Sequence, residues 1–203
     1  MGKIYTALGL MSGTSMDGVD ASIIQTDGKS KYNAILDKYF EYPKNIYKNL
    51  TTLRDKIKSS KDLKKHQKQI ESVEKEITIF HAKAVIETLK KTKVNVDFIG
   101  FHGQTIFHNP EEKITKQLGD GKLLSKLTQK KVVYNFRQND LKNGGEGAPL
   151  TPIFHEMLQK KIKTKPISFF NIGGILNKTT IWEDGLLTAR DLGPGMCLID
   201  KWI

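Results

Sequence analysis

Residues 9–20 read Gly-Leu-Met-Ser-Gly-Thr-Ser-Met-Asp-Gly-Val-Asp, glycine and small hydroxyl residues set between two apolar stretches. Glycine lets a ligand approach the backbone, N–H groups in such a turn can point at phosphate oxygens, and neighbouring aspartates can hold magnesium through water. Gly13, Thr14, Ser15, Met16, Asp17, Gly18, Val19 and Asp20 are therefore candidate phosphate-cradle residues. The same composition also makes an ordinary hairpin turn. A Walker A loop and a Rossmann fingerprint are both absent, which takes support from those nucleotide folds. A second glycine turn, Asn171-Ile172-Gly173-Gly174, is followed by Ala189-Arg190-Asp191-Leu192-Gly193-Pro194-Gly195. Asp191 there puts a carboxylate at a strand end beside glycines, where a general base would fit; a turn or helix-capping aspartate has the same signature.

Polar groups gather at two further places. His102-Gly103-Gln104-Thr105 ends an apolar run, and Arg137 and Asp140 precede the loop Asn143-Gly144-Gly145-Glu146-Gly147. An arginine fork at that loop can pair with a ligand carboxylate or phosphate, or with Asp140. His102 and His108 are six residues apart with no third ligand nearby, so no metal site is assigned to them. Cys197 has no base beside it and reads as a small buried thiol.

These groups need elements to hold them. Apolar runs at 4–11 and 19–25, the second closed by Asp27-Gly28, read as a β-hairpin, and 34–40 as a third strand before Pro43. From there the period becomes helical: Ile70, Val73, Ile77, Phe80 and Ala84 share one face of a long helix whose other faces carry lysine and glutamate. Residues 94–101 read as a strand arriving at a polar turn, 102–105, with a second turn at Asn109-Pro110. A short helix at 123–129, a strand at 132–134, a helix at 152–159, strands at 167–172, 175–181 and 186–188, and an apolar helix from Met196 to Ile203 complete the chain. The order is α/β with mixed sheets and an open end.

Composition narrows the class. At 203 residues with 38% hydrophobic and 27% charged residues, the chain is of ordinary globular type. No apolar run reaches the length of a membrane span, no secretory leader opens the chain, and one cysteine cannot form an internal disulfide, so a cytoplasmic protein is expected. The net charge of +11 raises nucleic acid or an anionic membrane as partner, but only Arg54, Arg137 and Arg190 are arginines and the lysines lie on solvated helix faces without stacking aromatics. Neither nucleic acid nor a membrane is expected as a partner.

In order and spacing these segments resemble the anhydro-N-acetylmuramic acid kinases of peptidoglycan recycling. Residues 9–20 look like that family's ATP loop, His102-Gly103-Gln104-Thr105-Ile106 like its histidine-glycine-glutamine-threonine segment, and Phe136-Arg137-x-x-Asp140 with 144–150 like its glycine-loop segment. Asn171-Ile172-Gly173-Gly174 and Asp191-x-Gly193-Pro194-Gly195 follow in the family order, so the likeness spans nearly the whole chain. The resemblance implies an actin, hexokinase and Hsp70-like (ribonuclease H-like) fold, with residues 1–165 as the first lobe and 166–203 as the start of a second. It implies ATP and Mg2+ as cofactors and a small anhydro amino sugar as substrate, phosphorylated on O6 while water opens the anhydro bridge. By the same resemblance Asp191 is the base that activates this water. Residues 13–20, with Gly173 and Gly174, would hold the nucleotide and magnesium, while His102, Gln104, Thr105, Arg137 and Asp140 would line the sugar site, Arg137 facing the muramic carboxylate.

The chain departs from the family pattern at Asn135, where Asp is usual, at Glu146, where Gln is usual, and at Met196, where Asn is usual. Family members also continue well past Ile203, so a fragment is expected, without most of the second lobe and its adenosine-binding segment. Three functions follow: a kinase of the family's reaction; an inactive remnant or one chain of a split kinase, completed by a partner chain or acting as a homodimer; and, last, a lysine-rich nucleic-acid-binding module.

Overall fold

The structure is a computed structural model that describes residues 2–202. It divides into two compact units, the first made of residues up to 27 with 32–147, the second of 28–31 with the residues from 148 on.

In the first unit, strands β1 (Tyr5–Ser12), β2 (Gly18–Thr26) and β3 (Tyr32–Glu41) form an antiparallel meander. Alternation decides which face is buried: Thr6, Leu8, Leu10 and Ser12 of β1 and Val19, Ala21 and Ile23 of β2 point inward. Pro43 precedes helix α1 (Lys44–Lys56), which is followed by α2 (Ser60–Lys65) and α3 (Gln67–Lys90). The stripe expected on α3 is present, with Ile70, Val73, Ile77 and Ala84 buried and Phe80 packed against the same core.

Strand β4 (Phe98–Asn109) lies parallel to β1, and its outer half pairs antiparallel with β5 (Ile114–Leu118). Helix α4 (Gly121–Thr128), capped by the Asp120 carboxylate on two N–H groups, leads to β6 (Lys131–Tyr134), which runs parallel to the inner half of β4. Helix α5 (Phe136–Lys142) then enters the glycine loop. Of the six strands in this sheet, the five in the order β3-β2-β1-β4-β6, with β2 alone antiparallel among them, make the expected ribonuclease H-like arrangement, and β5 adds a further antiparallel strand on the outer half of β4. Two elements, β5 and α5, escape the sequence reading because each is short and mostly polar.

The second unit contains α6 (Pro152–Ile162) and the antiparallel meander β7 (Ile167–Ile172), β8 (Ile175–Ile181) and β9 (Leu187–Pro194). Helix α6 packs on the meander through His155, whose ring stacks on Phe169 at 4.8 Å and whose Nδ1 lies 2.9 Å from Thr179 Oγ1. After a 3-10 turn at Met196–Leu198, α7 (Ile199–Trp202) ends the described residues, and Ile203 lies outside them.

Two sequence expectations are corrected here. The segment 102–105 is not a turn but the middle of β4, kept in the strand by a bulge at Gly103, whose positive φ of 75° needs no Cβ. Asp191 sits inside β9, not at its end, because β9 continues past 188 through residues whose pairing with β8 alternation could not reveal.

Candidate active site

The loop between β1 and β2 is fixed from beneath. Ser12 is buried, and its hydroxyl donates to Gln104 Oε1 at 2.5 Å while lying 3.0 Å from both the Gly18 carbonyl oxygen and the Tyr42 hydroxyl. Gln104 Nε2 donates to the Gly13 carbonyl at 2.8 Å, the Met16 N–H bonds the same oxygen at 3.2 Å, and the Tyr42 N–H bonds the Asp17 carbonyl at 2.8 Å. The loop carbonyls are thus drawn inward. In a trans peptide the carbonyl and the next N–H point oppositely, so the Thr14 N–H is turned away from Gln104, outward. Thr14, Ser15, Asp17 and Asp20 are exposed, and Ser15 donates to Asp17 Oδ1 at 2.8 Å. A Cβ at Gly18 would run into Tyr39 and the Phe40 carbonyl, so the loop exit requires glycine.

Not every cradle candidate faces out. The side chains of Met16 and Val19 are buried in the core, and the Met16 N–H is already used inside the loop; these two residues anchor it. Gln104, expected at the sugar site, is fully buried with both ends of its amide taken and supports the loop from beneath. Burial, with the carboxylates of Asp17 and Asp37 adding to it, raises the Asp20 carboxyl above its ordinary range. Among the described residues no three His, Cys, Asp or Glu side chains gather as a metal cage.

The bulge at Gly103 sends the flanking residues to different places. His102 Nδ1 donates to the Gly103 carbonyl at 2.6 Å, leaving Nε2 to accept from Arg137 Nε at 2.9 Å. Burial, and then the Arg137 charge, lowers the His102 pKa to about 4, so the ring is neutral and this tautomer is fixed. Arg137 Nη1 donates to the Gly147 carbonyl at 2.8 Å, and the Gly147 N–H donates to Asp140 Oδ2, also at 2.8 Å. Arg137 and Asp140 therefore hold one glycine from both sides; among the described residues they form no ion pair with each other. Asp140 also fills the space a side chain at Gly145 would need. Thr105 is half-buried, its hydroxyl 3.3 Å from the Gln117 amide.

In the second unit, strand register brings Asn171, Asn177 and Asp191 side by side across β7, β8 and β9. Paired residues share a face, so these three form one polar row on the face that also carries Phe169 and Thr179. A register shift between Leu176 and Asn177 places the bulge of β9 next to Asp191, which is exposed. The Gly173–Gly174 turn is bound to the end of β9: the Gly195 N–H bonds the Gly174 carbonyl at 2.9 Å and the Met196 N–H bonds that of Gly173 at 2.8 Å. A Cβ on Gly195 would strike the Gly173 carbonyl. Cys197 is of intermediate exposure, not the buried thiol expected.

The sequence profile of the anhydro-N-acetylmuramic acid kinases matches residues 5–203. The chain belongs to that family. It is 60% identical over 209 aligned positions to the anhydro-N-acetylmuramic acid kinase of Pelagibacter ubique (strain HTCC1062), covering 100% of this chain and 55% of that protein. It is 43% identical to the one of Agrobacterium fabrum and 40% identical to the one of Rhizobium etli, in each case with 100% of this chain and 56% of the other covered. The chain thus spans about half the length of the curated relatives it matches.

Within this kinase family member, Tyr42 and Asn177 are site neighbours that the sequence reading missed. Tyr42 carries no local signal, because its partners lie 30 residues back on β1. Asn177 is marked only by strand register. No helix among the described residues is long and apolar enough to cross a membrane.

Proposed function

We propose that the protein to which this chain belongs is an ATP-dependent kinase of 1,6-anhydro-N-acetylmuramic acid. The γ-phosphoryl group passes to O6 while water adds at C1 and the anhydro bridge opens, so ATP, sugar and water give N-acetylmuramic acid 6-phosphate and ADP. The observation that carries this reading is the family match over 5–203 together with 60% identity to a kinase of that name. The β1–β2 loop fits a nucleotide phosphate, since its carbonyls are drawn inward and Thr14 and Ser15 are exposed on it. Magnesium would arrive with the triphosphate and meet Asp17 and Asp20 through water, as suits an ion that keeps most of its hydration. Asp191 accepts the proton of the attacking water, a role supported by its exposure and by the strand bulge beside it. His102 and Arg137, with Asp140 behind the glycine loop, hold the sugar, and Gly173–Gly174 meet the nucleotide.

A second reading, that the 203 residues act only together with a further segment or partner chain, is favoured by the apolar side chains left open on the second unit, among them Phe170, Ile172 and Trp202. A cytoplasmic enzyme is proposed in either case. ADP release with magnesium ATP and the anhydro sugar, run in H2(18O), separates the readings. Heavy oxygen at C1 of a 6-phosphorylated product, beyond what preformed N-acetylmuramic acid 6-phosphate takes up by anomeric exchange in the same time, establishes the reaction, a product without it overturns the water step, and no product from a folded chain favours the second reading.

A further inference from the structure

We propose that Gln104, with Ser12 and Tyr42, is a positioning residue of the nucleotide loop: it keeps the loop carbonyls inward so that N–H groups face the phosphates. This rests on reading the β1–β2 loop as a phosphate site. The network joins β1, the loop, the residue after β3 and the middle of β4, and it lies wholly in the first unit. Its members are buried: Gln104 at 0%, Ser12 at 2% and Tyr42 at 4% exposure. A buried amide is costly unless both its ends are bonded, and here they are, to Ser12 on one side and Gly13 on the other. An apolar side chain would fill the same space without that requirement, so the polar atoms serve the loop and not the packing.

The geometry is directional. A serine hydroxyl has one proton, for which Gln104 Oε1 at 2.5 Å and the Gly18 carbonyl at 3.0 Å compete; the shorter contact takes it and leaves the oxygen to accept from Tyr42. Burial raises the Tyr42 pKa, so its phenol stays protonated at neutral pH. Gln104 is then left oriented with Nε2 toward Gly13, the first residue of the loop. A carboxylate at 104 could accept from Ser12 but could not donate to Gly13.

The test compares the wild-type chain with Gln104→Met, Gln104→Glu and Tyr42→Phe by amide hydrogen exchange and by calorimetric binding of magnesium ATP. The amides to follow are Met16 and Tyr42, whose acceptors are the Gly13 and Asp17 carbonyls. Both Gln104 variants should speed their exchange, and weaken nucleotide binding, about tenfold, and Tyr42→Phe about threefold, while β1 and β4 amides change less than about twofold. Unchanged exchange at Met16 and Tyr42, or equal acceleration in β1 and β4, overturns the proposal, since the second is what a packing defect gives. A wild-type chain that binds no magnesium ATP counts against the phosphate-site reading instead, and exchange still judges the network.

Discussion

The two units share a motif, a three-stranded antiparallel meander with a glycine turn between its first two strands, yet they are filled in opposite ways. In the first, helices α1, α3 and α4 cover one face of the sheet, and Leu8, Val19, Ile23, Leu50, Leu53, Ile99, Leu118 and Leu124 lie at 0% exposure. In the second, Met157 and Ile181 are the only buried hydrophobic side chains among the described residues, while Phe170 is 58% and Ile172 64% exposed. Open faces differ too. The outer face of β1 and β2 mixes Gly9, Asp20 and Ser22 with Tyr5, Met11 and Ile24; that of the second meander carries Phe170 and Ile172 beside Lys178 and Arg190. The difference teaches that burial is concentrated in one unit: the first has its own core, and the proposed base stands on a sheet with almost none.

The sharpest way to break that comparison is at the base. Asp191→Asn should lower kcat about a thousandfold in any form of the protein that turns over, the usual scale for losing a general base, with its unfolding midpoint unchanged. A matched loss of stability would mean that Asp191 holds the second unit together. Next in size is the core: Leu8→Ala should cost about 3 kcal/mol in urea unfolding, because a fully buried leucine leaves a cavity that its neighbours fill poorly. A loss under about 1 kcal/mol would show that the first unit is no better packed than the second.

Acid should also act mainly on the first unit. His81 is fully buried between Tyr42 and Phe101, its Nδ1 on the Ile77 carbonyl at 2.7 Å, and burial lowers its pKa to about 4. His102 is lowered to about 4 as well. For a depressed histidine the unfolded chain binds the proton first, so stability is full above pH 6.5 and falls as pH drops toward 4. For His81 the fall is on the order of 3 kcal/mol, read by urea unfolding at pH 7 and pH 4, and His81→Phe should remove that share and leave the one His102 contributes. A wild-type profile that stays flat would place His81 in contact with solvent. The smallest effect is predicted on the open face, where Phe170→Ser should change unfolding by less than about 0.5 kcal/mol. A larger loss would show that Phe170 is covered in solution.

Much of the fold is legible in the sequence. The β1–β2 hairpin, the buried stripe of α3 and the meander β7–β9 follow from period-2 and period-3.6 patterns that local sterics impose. The site is legible only in part. The segment types are visible, but Gly13 to Asp20 alternate between residues facing out and residues serving as anchors, which only the core beneath them sorts. Met16 could not be recognised as an anchor while its burial was unknown, nor Tyr42 as a support while β2 had not yet brought β3 into one sheet with β1.

What the sequence alone determined is the kind of residue at each place: glycines in the loops, a carboxylate at 191, an arginine three residues before an aspartate. Such choices are local, because conformational freedom and charge belong to single residues. What only the tertiary structure decided is the partnership. Gln104, expected on the sugar, is bonded beneath the β1–β2 loop, and Arg137 and Asp140 meet through Gly147 and not directly. Partners 91 residues apart in sequence are joined by strand register and by the bulge at Gly103, and neither is written in any local pattern.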